Sequence, residues 1–131
     1  QSIDHEIVVS DLPHSVQTIL DRIRSHDSKD SDVYYFKFFT QYFVGLDSQL
    51  CEITRVTKPS AVCAIVVQPS KYKNIPIELP NHLSSIASTY GWSVRSKIDF
   101  PVKNSLRNIH SQRNLSQTDD RQFESLLIFE H

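Results

Sequence analysis

Two spacings of apolar residues run through this chain, and they divide it into elements. His5 to Val9, "HEIVV", is β-branched and bounded by a polar turn signal, so it reads as a short buried strand. Val16, Ile19, Leu20 and Ile23 then recur at i, i+3, i+4 and i+7, the stripe of a helix lying on something flat. Ser25 to Asp32, "SHDSKDSD", is a cluster of turn formers and reads as a flexible loop. Beyond it Tyr35, Phe39, Phe43, Leu46, Leu50 and Ile53 step by three or four residues, predicting a long helix over 33–57 that Lys58-Pro59 ends. "AVCAIVVQ", Ala61 to Gln68, is continuous and apolar, as expected of a central strand covered on both faces. "PSKYKNIPIELP" reads as a polar loop, and "NHLSSIASTYGW" as a short helix stopped by Gly91. "SVRSKIDFPV" reads as a partly exposed strand, residues 103–122 as a polar segment, and "FESLLIFEH" as a closing strand.

Strands alternating with helices imply an α/β fold with a mostly parallel sheet and helices on its faces. The last two strands lack an intervening helix, so they are expected to form an antiparallel hairpin at one edge. The 131 residues, 39% hydrophobic and 22% charged, fit a single domain over 1–131. No apolar run reaches the roughly 20 residues of a membrane span, which predicts a soluble chain of the cytoplasm, or of the nucleus in a eukaryote. The chain has no Met and opens on Gln1, as expected of a piece of something longer. Cys51 and Cys63 lack CxxC spacing and are expected as free buried thiols.

Composition also narrows the chemistry. A chain with two glycines, Gly45 and Gly91, cannot build a phosphate-cradling loop, which needs several close together. Its six histidines show no HxxxH or HxH spacing, so no metal site is expected. No Gly-x-Ser-x-Gly elbow supports a hydrolase, and Gln68 stands where a metal-dependent nuclease would need a carboxylate. Seven aromatics lie between Tyr34 and Phe43 around Lys37. Such interleaving suits a base-stacking platform, but the helical spacing predicts core packing. The net charge of −1 gives no global reason to expect nucleic acid, so any such surface is local. One local candidate is Arg95, Lys97, Lys103, Arg107 and Arg113, set among asparagines and serines in the basic polar stretch 93–122. Lys71 and Lys73 follow the apolar strand, at the end of a sheet where α/β proteins bind ligands.

Arg55-Val56-Thr57-Lys58-Pro59, the "AIVV" run after it and Tyr90-Gly91-Trp92 resemble a segment of amino-methylating DNA methyltransferases dependent on S-adenosylmethionine. In that family a helix ending in Arg-Val-Leu-Lys-Pro-Gly-Gly leads into an Ile-Val-Val strand, and a later helix ends before Gly-Phe or Gly-Trp. Ser60-Ala61 replaces the two glycines, and "FESLLIFEH" resembles the family's closing strand. The resemblance spans roughly residues 5 to 131 and is densest from Leu50 to Val94. It implies the C-terminal half of a Rossmann-like methyltransferase sheet ending in a reversed hairpin strand. It also aligns Asp11-Leu12-Pro13-His14 with the family's Asp/Asn/Ser-Pro-Pro-Tyr/Phe motif, which holds the target amino group and stacks on a flipped base. On that alignment Asp11 is the acceptor, Pro13 the second proline and His14 the stacking ring, while Leu12 departs from the first proline. The residues alone also read as an ordinary helix start, with Ser10 or Asp11 as cap and Pro13 in the first turn. The two readings are compatible.

The resemblance therefore implies the target-base and nucleic-acid-binding half of a methyltransferase, with duplex DNA as its partner. S-adenosylmethionine would bind only if the glycine-rich half came from the rest of the polypeptide or a partner chain. The alternative is a non-catalytic α/β module binding nucleic acid or protein.

Overall fold

The structure is a computed structural model and describes residues 9–102 and 123–131. The expected strand at 5–8 lies outside the described residues, and Val9 opens a short 3₁₀ turn, Val9–Asp11. Helix α1 (His14–Arg24) follows Pro13, whose carbonyl accepts the amides of Val16 and Gln17, each at 3.0 Å. Val16, Ile19, Leu20 and Ile23 are all buried, each worth about 1.5–3 kcal/mol relative to an exposed side chain. Arg22 and Arg24 sit at the helix end that favours cations. The polar turn after α1 is tied down. His26 Nε2 meets Asn74 Oδ1 at 2.7 Å, and Ser31 Oγ, fully buried, meets Tyr72 Oη at 2.5 Å.

A π-helical turn, Ser31–Tyr35, leads into α2 (Phe36–Val56). Thr57 is extended at φ −95°, ψ 154°, so the helix stops just before Lys58-Pro59. The aromatic run divides. Phe43 is buried, Tyr35, Phe36 and Phe39 pack half-buried against the core, and Tyr34, Phe38 and Tyr42 face outward. A helix turning 100° per residue cannot aim so dense a run at one side, so core packing holds for part of it only. Cys51 is exposed on α2 and Cys63 half-buried, both free, so burial was misjudged for Cys51. Burial pushes the Cys63 thiol up from its ordinary value.

Strand β1 (Val62–Val67) is followed by β2 (Ser70–Tyr72) and β3 (Ile75–Ile77), an antiparallel hairpin where a polar loop was expected. Tyr72, Ile75 and Ile77 are buried, and Pro76 faces out between the two isoleucines. Helix α3 (Leu79–Thr89) carries Pro80 in its first turn and ends at Gly91, whose φ of 87° suits glycine at a helix C-terminus. Strands β4 (Ser93–Pro101) and β5 (Phe123–Glu130) complete the described sheet, in the order β1-β5-β4.

That sheet overturns the mostly parallel arrangement. The crossover through α3 does set β1 and β4 in one direction, but β5 lies between them, and both of its pairings are antiparallel. No two hydrogen-bonded neighbours among the described strands are parallel. Nor is β1 central and doubly covered. It is an edge of the described sheet, with Cys63, Ile65 and Val67 against the core and Val62, Ala64 and Val66 exposed. Leu127 and Phe129 of β5 are buried on the covered side, where Phe43, Leu50, Leu83 and Ile86 complete the core.

Three side-chain contacts join α2 to α3 and to the turn that follows it. Phe43 meets the His82 ring edge-on at 5.6 Å, the Asp47 carboxylate accepts the Tyr90 hydroxyl, and Thr54 Oγ1 accepts the Trp92 indole N–H at 2.7 Å. Burial, then the Asp47 contact, pushes the Tyr90 hydroxyl up. His82 is buried with no partner for Nδ1, and burial holds its pKa below the ordinary 6.5, against a weaker opposing pull from Glu78. The unfolded chain therefore takes up the His82 proton first as pH falls. Its contribution to stability is complete above about pH 6.5 and declines below it. Urea midpoints should fall between pH 7.5 and 5, and His82→Leu should flatten that slope. An unchanged slope would show that His82 titrates alike in both states.

Candidate functional site

The tetrapeptide Asp11 to His14 forms the entry to α1. Asp11 closes the 3₁₀ turn and is exposed, Pro13 occupies the cap position at φ −55° and ψ 150°, and His14 is an exposed first helical residue. The cap residue is thus Pro13, without a side-chain cap bond, rather than Ser10 or Asp11. Leu12 has a structural role of its own. Its side chain is 3% exposed and joins the core, and its amide donates to the Val9 carbonyl at 3.1 Å. A proline there would lose that amide and the anchor. The Leu12 carbonyl accepts Gln17 Nε2 at 2.8 Å, and the Ser10 carbonyl lies 3.4 Å from the same nitrogen. Among the described residues Gln17 is the donor to the Leu12 carbonyl.

Lys71 lies on β2 and Lys73 in the tight turn before β3, both exposed, with no carboxylate at ion-pair distance among the described residues. Lys73 has φ 53°, a left-handed position that a lysine occupies at a cost of about 1–2 kcal/mol. Arg95 and Lys97 each have a carboxylate within loose reach. Arg95 Nε lies 4.0 Å from Glu130 Oε2, and Lys97 Nζ lies 4.0 Å from Asp99 Oδ1. Lys103, Arg107 and Arg113 lie outside the described residues.

Lys97 and Asp99 open into a cleft of about 250 Å³, lined also by Pro69, Glu78, Pro80, Phe123 and Ser125. The elements explain its composition. In register, Lys97 faces Leu127 and Asp99 faces Ser125, so both lie on the covered side of the sheet. Glu78 stands at the cap position of α3, where the helix dipole favours an anion. Ser125 is buried and donates from Oγ to Asp99 Oδ1 at 2.5 Å, fixing that carboxylate. Two carboxylates against one ammonium make the cleft a set of acceptors, suited to an amino group rather than to phosphate. Phe123, 41% exposed, supplies a ring at the edge.

The cleft and the helix that follows the tetrapeptide both meet α3, at different turns. Ser15 Oγ, one residue past His14, donates to Ser85 Oγ at 3.3 Å, and about 10 Å of helix rise separates Ser85 from Glu78. Sequence reading missed Glu78, Asp99, Ser125 and Gln17. Asp99 was visible as the one acid amid the basic run, and Gln17 only through its distance of one helical turn from Pro13.

Among the described residues no cluster of His, Cys, Asp and Glu could hold a metal ion. Gly45 lies inside α2 and Gly91 closes α3, so neither forms a strand-to-helix turn.

Two substitutions separate anchoring from carbonyl control. Leu12→Ala should cost about 2–5 kcal/mol in urea unfolding, as a core truncation. Gln17→Ala, which removes one partly buried hydrogen bond, should cost about 1 kcal/mol. Equal costs would mean that Leu12 is not the anchor. No protein-family model matches the chain, and no curated protein or solved structure matches it.

Proposed function

We propose that this chain is the target-binding half of a methyltransferase-like protein, acting on nucleic acid, with the methyl donor held by residues other than those described. The observation that carries this reading is the reversed strand. β1 and β4 run the same way with β5 inserted antiparallel between them, in keeping with the reversed strand expected from the motifs around Lys58-Pro59 and Tyr90-Gly91-Trp92. The neighbouring chemistry supports it. Asp11 and the Leu12 carbonyl lie at the entry to α1, which touches α3 through Ser15 and Ser85, and the N-terminal end of α3 borders a cleft of acceptors edged by Phe123. Lys71 and Lys73 on the adjoining hairpin would meet phosphates, while the acceptors of the cleft would take the exocyclic amino group of an extruded base. His14, exposed at the head of α1, would lie against its ring.

A second reading, a non-catalytic module binding nucleic acid, is favoured by one observation: the Leu12 carbonyl already holds Gln17. Fluorescence anisotropy with a duplex and with a single strand tests what both share. Lys71→Glu with Lys73→Glu should weaken binding at least tenfold and lower the salt slope by about 1–2. Asp99→Asn should instead narrow the preference for amino-bearing bases over thymine or uracil. Equal affinity in the double lysine variant would overturn nucleic-acid binding through this face. Calorimetry with S-adenosylmethionine should give no heat for this chain, and saturable binding would overturn the assignment of the donor elsewhere.

A further inference from the structure

The aromatic run that enters α2 leaves part of itself outside the core, and it does so in a pattern. Tyr34, Gly45 and Val56 recur at intervals of eleven residues, with Phe38, Tyr42 and Glu52 between them. An eleven-residue repeat advances about 3.67 residues per turn, close to a straight helix, so these positions share one stripe along the π turn and α2. All six are exposed, Tyr34 by 63%, Phe38 by 53% and Val56 by 66%. Gly45 costs this helix about 1 kcal/mol relative to alanine, and a Cβ added there would meet nothing within 4 Å. The described fold therefore has no need of glycine at that point. What a bare Cα allows is the close approach of another backbone.

We propose that a second copy of the chain packs antiparallel on this stripe, about a two-fold axis at Gly45. A two-fold pairing is self-complementary, so each residue before Gly45 meets one equally far beyond it. Tyr34 then meets Val56 of the other copy, which covers the two most exposed members of the stripe with each other. The charges agree with that register. Lys37 falls beside Glu52, and the ends bring Asp32 toward Lys58, each pair occurring twice. Lys37 is exposed, and both contacts of Arg55 with Glu52 fall on one oxygen, Oε2. A parallel pairing would instead set Lys37 on Lys37 and Glu52 on Glu52. The stripe spans about 33 Å of helix rise and one helix width of about 10 Å, roughly 330 Å². That is below the roughly 800 Å² per partner of a standard interface, so the dimer is weak and forms only at high concentration. None of the stripe residues belongs to the cleft or the tetrapeptide, so the proposal holds whether or not the chain binds nucleic acid.

Sedimentation equilibrium of the full chain between about 10 μM and 1 mM, the range of weak association, is the direct test. The weight-average mass should rise from monomer toward dimer, and the amide shifts of Tyr34, Phe38 and Gly45 should move over the same dilution. Lys37→Glu and Glu52→Lys should each weaken the dimer about tenfold, through two lost ion pairs and two new repulsions. The double variant should restore it. Emission from Trp92, buried against Thr54, reports that each variant keeps its fold. If a charge variant does not fold, Gly45→Lys, whose side chain enters open space in the monomer, should abolish the dimer. A chain that stays monomeric throughout the range, dilution shifts confined to another face, or single variants that the double does not rescue would overturn the proposal. A cover supplied from elsewhere in the same chain would give the first of these results.

Discussion

Leu127 and Phe129 face the helices from the middle of the sheet, and β1 beside them reaches the core from that side alone. This one-sided burial organises the rest. It sends Cys63, Ile65 and Val67 inward and leaves Val62, Ala64 and Val66 outside. Because β4 is the strand farthest from β1, its covered-side residues Lys97 and Asp99 lie beyond the apolar core and remain exposed. The cleft forms there, where apolar burial ends and the α3 N-terminus supplies Glu78. Its acidity follows from the same geometry, since charged groups are tolerated only at the margin of the packed layer.

The helices were legible in the sequence because each has a single buried stripe. Every apolar residue assigned to the α1 stripe is buried, and Gly91 closes α3 as its position suggested. Strand pairing was not legible. Alternation of strands and helices fixes the direction of β1 and β4 through a crossover, yet it says nothing about a later strand that enters between them. β5 does so, and every neighbour pair among the described strands becomes antiparallel. The β2–β3 hairpin was hidden for another reason. Lys73-Asn74 and Pro76 look like loop chemistry, and only burial of Tyr72, Ile75 and Ile77 reveals the pairing. The acceptors of the cleft were illegible because Glu78, Asp99 and Ser125 come from three separate elements.

The tetrapeptide shows how one stretch serves two demands. As a helix entry it needs a residue at Pro13 whose carbonyl receives the first amides, and as an anchor it needs an apolar side chain before the helix begins. Leu12 meets the second demand, and two prolines in succession would not. Burial of Leu12 and the hold of Gln17 on its carbonyl fix the backbone at the entry to the helix, so the turn is rigid without a second ring.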